Sequence, residues 1–190
     1  MIEVFKTAAA VQKVCRQAGW KFCFIGGVAV QRWGEPRFTN DVDLTLHTGF
    51  GGEEKFITVL LSHFTARVST AVEFALKNRV LLLQSTAGVG IDISLGGYPL
   101  ENQIVERASE FLYPPDITLL TCSAEDLIVM KCFADRGRDW ADVEGVLVRQ
   151  TGKLDWKYIL SQLEKLTIIK ESPEILARLK KLRMERETNP

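Results

Sequence analysis

The sequence predicts an α+β fold in which a small mixed β-sheet, flanked by helices, is followed by a helical C-terminal half. Strand-like apolar runs lie early in the chain, and helical spacing of apolar residues dominates from residue 103 onward. The chain has 190 residues, of which 46% are hydrophobic, and this is enough to bury a sizeable core. We therefore expect an α/β core over residues 1–100 and a helical region over residues 101–190 packed on it.

The elements of the predicted core follow from apolar spacing and from the residues that interrupt it. Val4, Ala8 and Val11 repeat at helical spacing, and Gly19 marks the end of that helix. Aromatic residues then favour a strand, and a double glycine allows a sharp turn into the next helix. The predicted elements are a helix over 3–18, a strand over 20–25, a helix over 28–33, a strand over 40–46, a helix over 53–64 and a hairpin of strands over 80–84 and 89–95.

The second half carries helix-start signals and helical periodicity. Ser123 with Asp126 resembles a capping box, and Ser172 before Pro173 is typical of a helix that begins with proline. The predicted helices cover residues 103–109, 123–135, 138–149, 155–166 and 173–187.

Composition and charge limit the partners and metals that the chain is expected to bind. The 24 basic and 24 acidic residues cancel, so a nucleic-acid contact would require a local basic patch. The four cysteines lack paired metal-ligand spacing and the chain has two histidines, which argues against a zinc site. With no long apolar segment and no export signal, we expect free thiols, no membrane contact and a cytoplasmic location.

The most informative motif is Asp41-Val42-Asp43, in a predicted strand. Side chains at positions i and i+2 of a strand point to the same face, so the two carboxylates should lie together. Two carboxylates about 4 Å apart repel by roughly 4 kcal/mol at an effective dielectric constant near 20. A cation would offset this repulsion, and oxygen ligands suit a hard divalent ion such as Mg²⁺.

A third carboxylate and a double glycine extend this motif. Asp92 lies between isoleucines in an apolar strand, and it would join Asp41 and Asp43 if the two strands were neighbours in a mixed sheet. Three such acids can hold two divalent cations, which stabilise the attacking and leaving oxygens of a phosphoryl displacement. Gly26-Gly27 would let a phosphate approach backbone N–H groups at the start of a helix. The combination predicts a triphosphate site.

These residues resemble the nucleotidyltransferase fold superfamily of the DNA polymerase β type. Residues 123–127 (Ser-Ala-Glu-Asp-Leu), Lys131 and residues 136–142 (Arg-Gly-Arg-Asp-Trp-Ala-Asp) further resemble the C-terminal motif of the AbiEii toxins of abortive-infection and toxin–antitoxin systems, usually Arg-x-Lys-Asp-x-x-Asp. The resemblance covers about residues 20–145. It implies a Mg²⁺-dependent enzyme with a two-metal site that transfers a nucleoside monophosphate from an NTP, such as ATP, to a hydroxyl and releases pyrophosphate.

The resemblance also implies roles for individual residues. Asp41 and Asp43 correspond to the metal-bridging pair, and Asp92 to the third ligand, close to the acceptor hydroxyl. Lys131 corresponds to the lysine that reaches the phosphates, and Asp139 to an acid that supports the site. The predicted catalytic residues are thus Asp41, Asp43, Asp92, Lys131 and Asp139, and the predicted nucleotide-binding residues are Gly26, Gly27, Arg37, Arg79, Lys131 and Arg138, with Arg136 and Asp142 as weaker correspondences.

The chain departs from the family pattern at two positions. Gly27 stands where serine is common, which removes a hydroxyl that would touch phosphate. Arg138 stands where lysine is usual, which keeps the charge and changes the geometry.

The resemblance leaves several functions open. The acceptor would be RNA, such as a tRNA end, or a protein, and the enzyme would be the toxin of a toxin–antitoxin pair with a cognate antitoxin as partner. One alternative is a weakened nucleotide- or antitoxin-binding module, and another is an aminoglycoside- or lincosamide-type antibiotic nucleotidyltransferase. For Lys131 the structural alternative is an ion pair with Asp135, four residues on, and for residues 136–142 it is an intrahelical salt-bridge network.

Overall fold

The computed structural model describes residues 1–188. The helices are α1 (Ile2–Gln17), α2 (Gly26–Trp33), α3 (Glu54–His63), α4 (Ala71–Asn78), α5 (Pro99–Glu106), α6 (Ala124–Ala134), α7 (Gly137–Arg149), α8 (Trp156–Lys170) and α9 (Pro173–Thr188). The strands are β1 (Phe22–Phe24), β2 (Asp41–His47), β3 (Thr65–Ala66), β4 (Val80–Gln84), β5 (Gly90–Gly96), β6 (Ser109–Tyr113) and β7 (Ile117–Thr121).

The chain forms two compact units. The first, here called the sheet unit, contains residues 1–28 and 38–122. The second, here called the helical unit, contains residues 29–37 and the chain from Ser123 onward. The sheet unit therefore extends beyond residue 100, where the sequence predicted the end of the α/β core.

Within residues 1–188, seven strands form one mixed sheet in the order β3-β4-β5-β2-β1-β7-β6. Strand β2 lies at its centre, antiparallel to β1 and parallel to β5. The predicted hairpin is confirmed, because β4 and β5 pair antiparallel. The predicted adjacency of the two acid-bearing strands is confirmed by the parallel pairing of β2 with β5.

The buried side chains on one face of β2 and β5 fix the register of these two strands. Val42, Leu44, Ile91 and Ile93 are completely buried in the core of the sheet unit. Burying a side chain of this size stabilises the fold by about 1.5–3 kcal/mol. A slip of one residue would turn these four side chains to the opposite face, so their burial also determines which face carries the alternate residues.

The helical unit is built from the predicted C-terminal helices. Its buried residues include Trp140 of α7 and Leu163 of α8. The predicted cap of α6 is confirmed, since the Asp126 backbone N–H donates to the Ser123 hydroxyl over 3.1 Å. Among the described residues, no helix is both long enough and apolar enough to cross a membrane.

The sequence analysis missed four elements, namely β3, α4, β6 and β7. Strand β6 exposes four of its five residues, so it lacks the alternation of a half-buried strand. Strand β7 is a short apolar run, and periodicity alone does not assign such a run to a strand or a helix. Helical patterns were predicted to dominate from residue 103 onward, and strands β6 and β7 interrupt that pattern.

Candidate active site

The acid pair and the third acid lie on one face of the sheet. Asp41 and Asp43 alternate with buried Val42 on β2, and Asp92 of β5 is directly beside Asp43 in the parallel register. Side chains at paired positions of neighbouring strands point to the same side. The acid face, defined here by Asp41, Asp43 and Asp92, is thus opposite the buried face of the same two strands.

Gly26 and Gly27, here called the glycine elbow, lie next to this face at the start of α2. Gly26 has φ +54°, a conformation that residues with a Cβ atom rarely adopt, and an added Cβ would lie 2.5 Å from Cγ of Asp43. The next backbone N–H, of Gly27, points at Oδ2 of Asp43 over 3.4 Å. Position 26 therefore requires glycine both for its backbone conformation and for its contact with Asp43.

Thr39 fills the space beside the second glycine. A Cβ atom on Gly27 would lie 2.7 Å from Cβ of Thr39, whose side chain is buried. The Thr39 hydroxyl donates to Oδ1 of Asp41 over 2.9 Å. A hydroxyl therefore lies beside position 27, and its hydrogen bond orients the first acid.

Arg67 is a second residue that the sequence analysis missed. Its guanidinium forms an ion pair with Oδ1 of Asp92. The Nη1 atom lies 3.4 Å from the position that a Cβ on Gly90 would take, and Gly90 is in register with Asp41. Arg67 is 25 residues from Asp92 in sequence and follows the unpredicted strand β3, so no local pattern marked it.

The surroundings of Asp92 favour its protonated form. Burial is the main cause that raises the pKa of this carboxyl above its ordinary value, and the negative charge of Asp41 raises it further. The Arg67 guanidinium acts in the opposite direction but does not restore the ordinary pKa. The charge of Asp41 therefore acts on Asp92 across the acid face.

The acid face fits a divalent cation by its donor chemistry. Carboxylate oxygens are the ligands that Mg²⁺ prefers, and Asp43 and Asp92 stand side by side. Within residues 1–188, no three carboxylate, histidine or cysteine side chains lie close enough together to form a ready-made metal cluster. Asp41, Asp43 and Asp92 would be the ligands, as the sequence predicts.

In the helical unit, Lys131 holds two aspartates together. Its buried ammonium lies 2.7 Å from Oδ1 of Asp139 and 2.8 Å from Oδ2 of Asp142. Arg37 forms a two-pronged pair with Asp142, over 2.5 and 2.7 Å, and Arg136 contacts Oδ2 of Asp139 over 2.5 Å. We call these five residues the lysine cluster.

The alternative pairing of Lys131 with Asp135 was wrong. The Asp135 carboxylate instead accepts a hydrogen bond from the indole N–H of Trp140 over 2.6 Å. Asp135 is also the C-cap of α6, with a φ of +56°. Its side chain therefore does not follow the helical geometry that an ion pair between residues 131 and 135 would require.

The charges of the lysine cluster lower the pKa values of its acids. Burial alone would raise the pKa of Asp139, but the hydrogen bonds and charges of Arg136 and Lys131 outweigh burial and place it below the ordinary value. The same competition, with Arg37 and Lys131 as the cations, lowers the pKa of Asp142. Both acids are therefore held ionised by neighbours within their own unit.

Arg79 and Arg138 are two of the predicted nucleotide-binding arginines. Arg79 pairs with Glu53 over 2.5 Å and donates to the carbonyls of Gly49 and Leu95. Its guanidinium therefore joins neighbouring segments of the sheet unit. Arg138 is exposed in the first turn of α7. The phosphate-binding roles of both remain predictions, and the contacts of Arg79 do not support its role.

The family of the chain follows from its sequence. A sequence model of the family described as "Nucleotidyl transferase AbiEii toxin, Type IV TA system" matches residues 12–156. The chain belongs to this family. The predicted resemblance is confirmed, and the AbiEii protein described here is a nucleotidyltransferase.

Solved structures agree with this fold. An antigenic nucleotidyltransferase-like protein from Paracoccidioides brasiliensis aligns with a TM-score of 0.53 at 15% identity, over 94% of this chain and 93% of its own. This likeness confirms the predicted fold class.

Two further structures also match. They are lincomycin-bound lincosamide antibiotic adenylyltransferase LnuA (TM-score 0.49, 16% identity, 72% of this chain and 91% of its own) and the antibiotic-resistance factor ANT(2'')-Ia (TM-score 0.46, 14% identity, 97% and 93%). A search of curated proteins found no match.

Proposed function

We propose that this AbiEii protein transfers a nucleoside monophosphate from an NTP to an acceptor hydroxyl, with Mg²⁺ held by Asp41, Asp43 and Asp92. The register of β2 and β5 is the observation that carries the proposal, because it sets Asp92 beside Asp43 on the face that meets the glycine elbow. When bound, the two metal ions would stabilise the attacking and leaving oxygens of the displacement.

The elbow is suited to the triphosphate. The N-terminus of α2 offers a partial positive charge, and binding of a phosphate by the Gly27 N–H would require that N–H to exchange its contact with Asp43. The Thr39 hydroxyl lies next to Gly27 and donates to Asp41, so it supports the proposal by orienting a predicted metal ligand.

Asp92 is suited to move a proton. Its carboxylate stands beside Asp43 on the acid face and can act as a general base, and the family resemblance implies a position close to the acceptor hydroxyl. We assign Asp92 the task of accepting the proton from the attacking hydroxyl.

Lys131 and Asp139 enter the proposal through the family motif. In the structure Lys131 contacts Asp139 and Asp142, and a role at the nucleotide phosphates would require its ammonium to exchange one of these partners. Arg37 is held by Asp142 in the same way. Our proposal gives Asp139 the role of positioning Lys131.

For the acceptor we propose RNA or a protein, and for the biological role a toxin that a cognate antitoxin counteracts. The support is the description of the family as toxins of type IV systems. The two antibiotic-related structures have TM-scores under 0.5, so they do not favour a small-molecule acceptor.

The test is transfer of label from each of four α-³²P-labelled NTPs, with Mg²⁺, to tRNA, total RNA and protein. We expect one nucleotide to label one acceptor class, and Asp41→Asn to abolish the signal while Asp116→Asn, at an exposed turn, retains it. Absence of transfer by the wild type would contradict the proposal. Binding of Mg²⁺–ATP without any product would support the module instead.

A further inference from the structure

Arg67 stands at the position on the acid face where a cation would bind. Its backbone N–H donates to the carbonyl of Leu82 over 3.0 Å, and Leu82 is the residue of β4 in register with Asp92. The pairing of β3 with β4 therefore brings the side chain of Arg67 to Asp92, and the ion pair between them follows.

The guanidinium offsets a charge conflict that the fold itself creates. Asp41 and Asp92 lie on the same face, and Gly90, next to Asp41 in register, has no side chain to separate Arg67 from that strand. An arginine at this place neutralises one carboxylate and occupies an oxygen that a metal ion would need.

We propose that Arg67 is a resident counter-cation of Asp92, which Mg²⁺ displaces and which then binds the NTP phosphates. This inference rests on the proposed function. A guanidinium is suited to both partners, since its planar donors match carboxylate and phosphate alike. About a third of the Arg67 side chain is exposed (33%), so it has solvent into which it can turn.

The exchange makes the two ligands depend on each other. Metal alone must displace Arg67 from Asp92, and the displaced guanidinium then gains only solvent in place of its carboxylate partner. When metal and nucleotide arrive together, the displaced guanidinium gains a phosphate. Arg67 thus disfavours bare metal and favours the metal–nucleotide complex.

The experiment measures Mn²⁺ binding by electron paramagnetic resonance, with and without a non-hydrolysable ATP analogue. For Arg67→Gln we expect Mn²⁺ alone to bind about tenfold more tightly, because a charge at this range changes such equilibria by about tenfold or more. The analogue, with metal present, should bind about tenfold more weakly. A merely structural role would not move the two affinities in opposite directions.

Two further variants sharpen the result. Arg67→Lys keeps the charge without the planar donors, so Mn²⁺ affinity should stay near wild type while analogue affinity falls. The matched control is Arg16→Gln, which removes an arginine of the same unit from its pair with Glu110 (2.5 Å) and should change neither affinity.

The outcomes separate the two hypotheses. If the wild type binds Mn²⁺ in a manner that Asp41→Asn abolishes, but Arg67→Gln leaves that affinity unchanged or weaker, the role of Arg67 is overturned and the metal site stands. If the wild type shows no Asp41-dependent Mn²⁺ binding, both are overturned.

Discussion

The acid face of the sheet unit and the lysine cluster of the helical unit place aspartates in opposite surroundings. At the acid face, burial and a second carboxylate raise the pKa of Asp92. In the lysine cluster, neighbouring cations lower the pKa values of Asp139 and Asp142 although both side chains are almost fully buried. At the acid face, Arg67 is the arginine paired with Asp92, whereas the two acids of the lysine cluster share three cations of their own chain.

If this contrast is correct, a neutral substitution at the acid face should destroy activity without harming the fold. Asp43→Asn is expected to lower transfer by about a thousandfold or more, since metal stabilisation of the transition state is worth several kcal/mol. Its thermal unfolding temperature should stay at or above that of the wild type, because one repelling charge is gone. A markedly lower unfolding temperature would contradict the proposed role of the acid face.

In the lysine cluster, a neutral substitution should instead destabilise the fold. Lys131→Met removes the ammonium shared by Asp139 and Asp142, and removing one partner of a buried ion pair costs about 3–5 kcal/mol. Chemical denaturation should report this loss in the free energy of unfolding. The matched control is Lys153→Met, at an exposed position, where stability should change by less than about 0.5 kcal/mol.

The elbow gives a steric test of the acid face. Gly26→Ala introduces a Cβ 2.5 Å from Cγ of Asp43 in a left-handed backbone conformation, which alone costs about 1–2 kcal/mol. We expect both stability and transfer to fall. Gly137→Ala, where a Cβ meets nothing within 4 Å, is the control, and equal losses in the two variants would argue against the elbow.

A double-mutant cycle tests the pairing of Gly27 with Thr39. Gly27→Ser should be destabilising by about 1–3 kcal/mol because its Cβ overlaps the Thr39 side chain. Thr39→Ala removes the obstacle, so the double variant should recover part of that loss in unfolding experiments. Purely additive effects would show that the two positions do not compete for one space.

The pKa shifts predict opposite pH effects on stability. The lowered pKa values of Asp139 and Asp142 stabilise the fold above the ordinary value of 3.8 and lose this contribution as the pH falls through their folded pKa values. The raised pKa of Asp92 acts conversely, since its penalty appears as the pH rises through the folded value. Asp139→Asn should therefore flatten the acid limb of the stability curve, whereas Asp92→Asn should stabilise the protein at pH 7 more than at pH 3.

Much of the site was predictable because its signals are local. The two-residue spacing of Asp41 and Asp43 sets them on one face of any strand, and the isoleucines around Asp92 identify a buried strand that carries a half-buried acid. The glycine elbow is likewise a property of adjacent residues. Of the missed elements, β3 has only two residues and β6 is mostly exposed. Neither therefore shows the alternation of apolar and polar residues that marks a half-buried strand.

By itself, the sequence determined the acid spacing, the elbow, the helix caps and the family, because each depends on residues close together in the chain. Only the tertiary structure decided the partners of those residues. Arg67 contacts Asp92 because β3, β4 and β5 are neighbours in the sheet. Thr39 fills the space beside Gly27 although it is twelve residues further along the chain. Lys131 is shared by two acids of the next helix. These contacts arise from strand register and long-range packing, which periodicity and local propensity do not encode.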